Sequence, residues 1–443
     1  MDSIVGGHVF GKLPVDALKE SLSQFLAPVT SRLLDKRLRR VCVLMVQGIL
    51  GARSPLITAI ARSLERDEAC AWPLARRAYR FLNNERFSHR TLLKGLCAMA
   101  QQVVARYQAD RLVIAVDPVN LEKPYTQELE GVSQVMKSTP PGPQGEKRVT
   151  SGYPAITAAV VNLPVPVVAY AQWFSYQTED FVSENREIYR ALRVCRAVFP
   201  DKRLCFVGDA GFDDQKIFAW IGAMHGEFIM RVSHRERLVE VYNDRLDRWE
   251  REHLLAFAEV VHFPCHWQVL FTHAHHTRQA QIEAGWFRLR LPTNPDTFYW
   301  LLVAHDIDLD RDLLLVTNVP IETEQAARTV YEDWRRRAQI EHLYRLDQER
   351  GFDVEDLCVR TLERMRRLFL LVLLAALFVY EVGETWSPDA VLWLRRLGGK
   401  LALPLDADGP YILLAGISAL FTAAVALAFA SKHLFPRERR TCG

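Results

Sequence analysis

No two of the eight cysteines in this 443-residue chain form a CxxC pair; they stand at positions 42, 70, 97, 195, 205, 265, 358 and 442. That spacing excludes a zinc ribbon or a disulfide framework and fits reduced thiols in a cytoplasmic protein. The first residues, MDSIVGGHVFGKLP, have no basic stretch leading into an apolar run, so no signal peptide is expected. A nucleophile elbow, a dinucleotide fingerprint and a zinc-protease helix are all missing. The glycines of STPPGPQGEKR are not followed by GKS or GKT, which excludes a phosphate-cradling P-loop and leaves that stretch reading as a mobile loop. A strong net charge is lacking too, since 56 Lys and Arg stand against 53 Asp and Glu, a balance of +3.

What is present is ordinary in bulk: 49% hydrophobic and 25% charged residues, enough to bury a large core. A disordered tail protein and a collagen-like fibre are excluded. The length suggests roughly two to four folded units at ~150 residues each. The charge is unevenly spread. Residues 1–108 hold 17 Lys and Arg against 8 Asp and Glu, a net +9, which leaves −6 for the remainder. A basic arm on a mildly acidic body suggests a polyanion partner, with nucleic acid the commonest; solvated charge on a helical bundle is the alternative.

Within that arm the spacing predicts successive helices over 13–107. Ser54-Pro55 reads as a cap before LITAIARSLER, and Ser88 as the cap of a helix carrying Leu92, Leu93, Leu96, Met99 and Val103. Between them, Arg76, Arg77, Arg80, Arg86 and Arg90 flank a polar turn at Asn83-Asn84, an arrangement able to set positive charge against phosphates. A solvated helical face accounts for the same residues.

At residue 112 the pattern changes. LVIAVD and LCFVGD are short runs like strands buried on both faces, each ending in an acid, Asp117 and Asp209. ITAAVVNLPVPVVAYAQWFS reads as two strands, residues 178–199 as a helix and EFIMRVS as a further strand, so the order is that of an α/β core. Residues 234–312 read as a β-rich insertion. A long charged helix is expected over 323–350, and another over 357–380 with Arg360, Arg364 and Arg367 along one side.

Three acids in three elements are the main chemical signal. Asp117 and Asp209 end strands of an α/β sheet, where ligands bind, and Glu341 lies on the later basic helix. Hard oxygen ligands of this kind hold Mg²⁺. Two such ions can activate a water or a 3′-hydroxyl and stabilise the leaving oxygen.

With these residues in view, the chain resembles the DDE transposases of bacterial insertion sequences, in particular the cut-and-paste subgroup with a β-rich insertion between the second and third acids. The second-acid box is similar to Asp209-Ala210-Gly211-Phe212-Asp213. The third-acid box, Tyr, two residues, Arg, three residues, Glu, six residues, Lys, is matched by Arg337 and Glu341, with Trp334 in place of the tyrosine and Gln348 in place of the lysine. Some relatives use an insertion tryptophan to hold a flipped base; that register falls on Leu313, so Trp286 and Trp300 take no such role.

The resemblance implies an α/β fold with a ribonuclease-H-like core, the β-rich insertion and a helical N-terminal DNA-binding domain. The corresponding divisions are residues 1–108 for DNA-end binding, 109–233 and 313–380 for the two parts of the core, 234–312 for the insertion and 381–443 for a C-terminal helical region. It further implies two Mg²⁺ ions (Mn²⁺ as substitute) on Asp117, Asp209 and Glu341, and a homodimer acting on double-stranded DNA. Arg337 would contact DNA near the scissile phosphate, with Arg345, Arg360, Arg364 and Arg367 tracking the backbone. A DNA-binding protein that has lost transposition, or a structure-specific nuclease, is the alternative activity.

Two further features belong to neither. Cys265, His266, His273, His275 and His276 match no zinc spacing and read as a solvated hairpin. Residues 409–431 carry no charged side chain and are long enough to span a bilayer, but their alanine content favours a buried C-terminal helix, at a dimer contact, over a membrane span.

Overall fold

The computed structural model describes residues 14–126, 128–137, 148–243, 245–273, 276–347, 351–399 and 409–433. All of the STPPGPQGEKR stretch except Arg148, together with Gln348, His275 and the side chains of His273 and His276, therefore lie outside the described residues.

The chain begins with α1 (Pro14–Phe25), α2 (Ala27–Thr30), α3 (Lys36–Ala52), α4 (Ile57–Leu64), α5 (Glu68–Leu82) and α6 (His89–Tyr107). Asp35 starts α3 by accepting the Leu38 N–H at 2.9 Å. Ser54 instead accepts the Leu56 N–H, in a turn that delays the start of α4 to Ile57. Ser88 stands before α6 without capping it through its side chain; the His89 N–H goes to the Glu363 carboxylate at 2.7 Å.

Next come β1 (Arg111–Glu122), β2 (Ser133–Met136), β3 (Val149–Val160), β4 (Val167–Trp173), α7 (Glu184–Val198), β5 (Arg203–Gly208), α8 (Gln215–Ala223) and β6 (Glu227–Arg231). The stretch expected to be irregular and β-rich holds β7 (Leu238–Asn243), β8 (Arg248–His253), α9 (Leu254–Glu259), β9 (Cys265–His273), β10 (His276–Leu291) and β11 (Asn294–Asp306), followed by β12 (Arg311–Thr317). The last elements are α10 (Glu324–Arg335), α11 (Ala338–Asp347), α12 (Leu362–Thr385), α13 (Pro388–Leu397) and α14 (Pro410–His433).

The strands form one sheet in the order β2-β3-β1-β5-β6-β12-β11-β10-β7-β8, with β4 also on β3 and β9 also on β10. β1 pairs antiparallel with β3 and parallel with β5, and β5 pairs parallel with β6. Both faces are covered, as expected for parallel strands reached through helical connections. Along β1, Val113 and Ala115 join the apolar cluster of α1–α6, α12 and α14, while Leu112, Ile114 and Val116 join that of α7 and α8. The N-terminal helices thus share a core with the last ones.

Several expected helices differ in extent. The helix expected over 178–199 begins only at Glu184, and the one expected over 357–380 begins only at Leu362, so Arg360 precedes it and is not on its stripe. Residues 323–350 are not one helix: α10 and α11 are separated by a turn at Arg336 and Arg337. The apolar run 409–431 falls on α14, which is buried along only part of its length. Leu413, Leu414, Ile417 and Phe421 are buried, whereas Leu427 is exposed. Its approach to α13 is close enough that a side chain at Gly416 would strike the Leu394 carbonyl.

Candidate active site

Asp117 stands within β1 rather than at its end. The parallel ladder to β5 ends at Ala115, but the antiparallel ladder to β3 continues to Glu122, with Asp117 opposite Thr157. Thr157 is buried and its hydroxyl has no hydrogen-bond partner. On the next strand, Asp209 follows the last residue of β5 and precedes a short 3-10 turn, Ala210–Phe212. That turn is anchored at its far side. The buried Asp213 carboxylate accepts the backbone N–H groups of Ser233 and His234 at 2.8 and 2.9 Å and pairs with Arg237 at 2.6 Å. Glu341 lies in the first turn of α11.

These three acids meet at one guanidinium. Arg337, in the turn between α10 and α11, lies 3.6 Å from Asp117, 3.9 Å from Asp209 and 2.8 Å from Glu341. Arg231 also reaches Asp209, at 3.4 Å. Burial pushes the Asp117 carboxyl up to about 7; the Arg337 charge works against that, and the charges of Glu341 and Asp209 add to it.

Among the described residues, no group of three or more His, Cys, Asp or Glu side chains lies close enough together to hold a metal ion as arranged. The donor set still fits one by its chemistry. Three carboxylates from separate elements face the one guanidinium of Arg337, and their hard oxygen donors are of the kind that bind a hard divalent cation.

The basic residues separate into two kinds. Arg76, Arg77 and Arg80 are exposed on α5, with Arg76 packed over the exposed Trp72 ring at 5.5 Å. Arg345 and Arg360 are exposed and Arg364 is half-buried. Arg337 is only 15% exposed and faces the carboxylates. Arg367 departs from the expected stripe. It is buried and donates to the carbonyls of Leu82, Asn84 and Phe87 and to Glu363, so it is not available to a DNA backbone.

Two hydrogen bonds that tie this site together were not legible in the sequence. The Trp334 indole N–H donates to the Gly208 carbonyl at 3.0 Å, and the Tyr344 hydroxyl donates to the Asp117 carbonyl at 2.9 Å. Neither has a local signal, because the partners are 126 and 227 residues apart.

Residues 182–378 match the family described as the transposase DDE domain, a span that includes Asp209, Arg337 and Glu341 and begins after Asp117. No curated protein matches the chain. Among solved structures, a piggyBac transposase synaptic complex with hairpin DNA is similar over 96% of this chain and 80% of that one, at 10% identity and a TM-score of 0.40. That likeness is too distant to assign a role to any residue here.

Proposed function

We propose that the protein is a transposase that binds the ends of its own insertion sequence and catalyses metal-dependent DNA cleavage and strand transfer. The observation that carries this reading is the meeting of Asp117, Asp209 and Glu341, from two strands and a helix, around Arg337. The match of residues 182–378 to the transposase DDE domain supports it independently. The strand order β4-β3-β1-β5-β6, with helical links after β4 and β5, supports a ribonuclease-H-like core.

In this mechanism Asp117, Asp209 and Glu341 would hold the divalent ions. When bound, the pair supplies activation of the attacking water or 3′-hydroxyl and charge relief at the leaving oxygen. Arg337 balances the charge of the three acids and draws them to one point. Contact between Arg337 and the scissile phosphate, which the resemblance implies, would compete with its pairing to the carboxylates. Arg76, Arg77 and Arg80, with Arg345, Arg360 and Arg364, carry the backbone of double-stranded DNA. Homodimer assembly on paired ends is part of the same reading.

The deciding experiment is cleavage of a labelled duplex carrying the coding sequence's own flanking DNA, with Mg²⁺, Mn²⁺ or EDTA. Metal-dependent release of a 3′-hydroxyl at one boundary is the expected result. Binding with no cleavage in either metal would replace the reading with that of a DNA-binding protein without transposition activity.

The arginines of α5 give a separate expectation. Replacing Arg76, Arg77 and Arg80 together by alanine should reduce the slope of log K against log salt by about one unit for each phosphate no longer neutralised. An unaltered slope would assign those side chains to a solvated surface.

A further inference from the structure

We infer that Tyr344 and Trp334 are positioning residues that clamp the turn between α10 and α11 onto the two acid-bearing strands. The inference rests on the reading of Asp117, Asp209 and Glu341 as the catalytic acids.

Each clamp joins one helix to one strand. Trp334, near the end of α10, donates its indole N–H to the carbonyl of Gly208, the residue before Asp209. Tyr344, one turn after Glu341 on α11, donates its hydroxyl to the carbonyl of Asp117 itself. Arg337 lies between them, with its guanidinium 5.8 Å from the centre of the Trp334 ring. The segment carrying Arg337 and Glu341 is therefore tied at both ends, to the backbone of each strand whose acid it faces.

That arrangement addresses a physical difficulty. Asp117, Asp209 and Glu341 repel one another, and side-chain ion pairs alone would let the helical segment drift whenever Arg337 exchanges partners. Bonds to backbone carbonyls do not depend on the charge state of the carboxylates. They hold the spacing of the acids while Arg337 moves, and a misplacement of about 1 Å can cost roughly a hundredfold in rate.

The Gly208 end is also sterically fixed. A side chain there would strike the Phe212 ring and the Met230 sulfur, so the carbonyl that receives Trp334 sits on backbone packed tightly against its neighbours. At the other end Tyr344 is 8% exposed, and its ring belongs to the core that α11 shares with α12. Removing only its oxygen leaves that packing in place.

The test uses the full-length chain with Tyr344→Phe, Trp334→Phe and a matched control, Tyr153→Phe. Tyr153 is a buried residue whose hydroxyl donates to the Glu130 carbonyl at 2.7 Å and takes no part in the site. Four quantities are read: thermal midpoint, affinity for the flanking-DNA duplex, single-turnover cleavage rate, and Mn²⁺ affinity by the paramagnetic resonance of the free ion.

Tyr344→Phe and Trp334→Phe are each expected to slow cleavage about tenfold and weaken Mn²⁺ binding several-fold, with DNA affinity unchanged and a thermal midpoint within the range of the control. Cleavage and Mn²⁺ affinity no lower than those of Tyr153→Phe would overturn the inference. Asp117→Asn and Glu341→Gln are run beside them. Full cleavage by both would remove the reading of the site, and the clamps with it, whereas loss of cleavage in these two with wild-type behaviour in the clamp variants would remove the clamps alone.

Discussion

Asp117→Asn is expected to abolish cleavage, by roughly a thousandfold or more, and at the same time to make the metal-free protein harder to unfold at about pH 8. The first effect follows from removing a charged oxygen ligand from the proposed site. The second follows from the state of the wild-type carboxyl, raised from 3.8 to about 7 chiefly by burial. A folded-state value above the unfolded one means that the folded protein holds its proton longer, so ionisation works against folding. The penalty is absent below about pH 4, grows as pH climbs through the interval to about 7, and is constant above it.

Asparagine has the same shape and carries no charge, so the variant escapes that penalty. The gain is on the order of 2 kcal/mol, smaller than the whole shift because Arg337 also loses a partner. Midpoints of denaturant unfolding at about pH 4 and pH 8 check it: the two proteins should coincide in acid and separate above neutrality. Adding Mg²⁺ should narrow or reverse the difference, since a ligand that binds only the folded state stabilises it in proportion to its affinity. A variant less stable than wild type at both pH values would show that burial of the ionised Asp117 carboxyl carries no net penalty in the folded protein.

The acids themselves were legible because burial on both faces of a parallel strand leaves a short apolar run that stops at a polar residue. LVIAVD and LCFVGD have that form. The strand end was less legible. Asp117-Pro118 reads as a stop, yet β1 continues to Glu122, because β3 still pairs with it after β5 has ended. Pro118 is tolerated at that point, where β1 has become the edge on one side.

The break at Arg337 could not be read from EDWRRRAQIEHLYRLD, which contains neither glycine nor proline. Tertiary contacts accompany it: three carboxylates on Arg337 and the carbonyls of Gly208 and Asp117 on the flanking aromatic residues. Periodicity misled in a different way at Arg367. Arg360 precedes the helix, and helical spacing puts residues 364 and 367 toward one side without saying whether that side meets solvent or another helix.

Arg367→Met should therefore act on the fold, costing about 3–5 kcal/mol of stability. The guanidinium serves the Leu82 carbonyl at 2.9 Å, the Asn84 carbonyl at 2.8 Å and the Phe87 carbonyl at 2.6 Å, and its Nε–H goes to Glu363 at 2.9 Å. Leu82 is the last residue of α5, so this arginine satisfies carbonyls left open at that helix end and around the turn into α6. Methionine can fill the space but offers no donor, which strands buried acceptors and leaves Glu363 short of a cation. Lysine keeps the charge without the planar fork, so Arg367→Lys should recover only part of the loss.

Glu363 gives the same cluster a signature in acid. Burial raises its carboxyl, but hydrogen bonds from the side chain and backbone N–H of His89, with the Arg367 bond, bring it down to about 2. A depressed value means stability that is present above the ordinary 4.5 and is lost as pH falls toward 2. Denaturant unfolding of the wild type should thus weaken over that acid interval, and Glu363→Gln should flatten the dependence. An Arg367→Met protein within about 1 kcal/mol of wild type would mean that water or a shifted turn satisfies those carbonyls. The α5–α6 turn would then be held by packing alone, and the orientation of the arginine-bearing helix would owe nothing to Arg367.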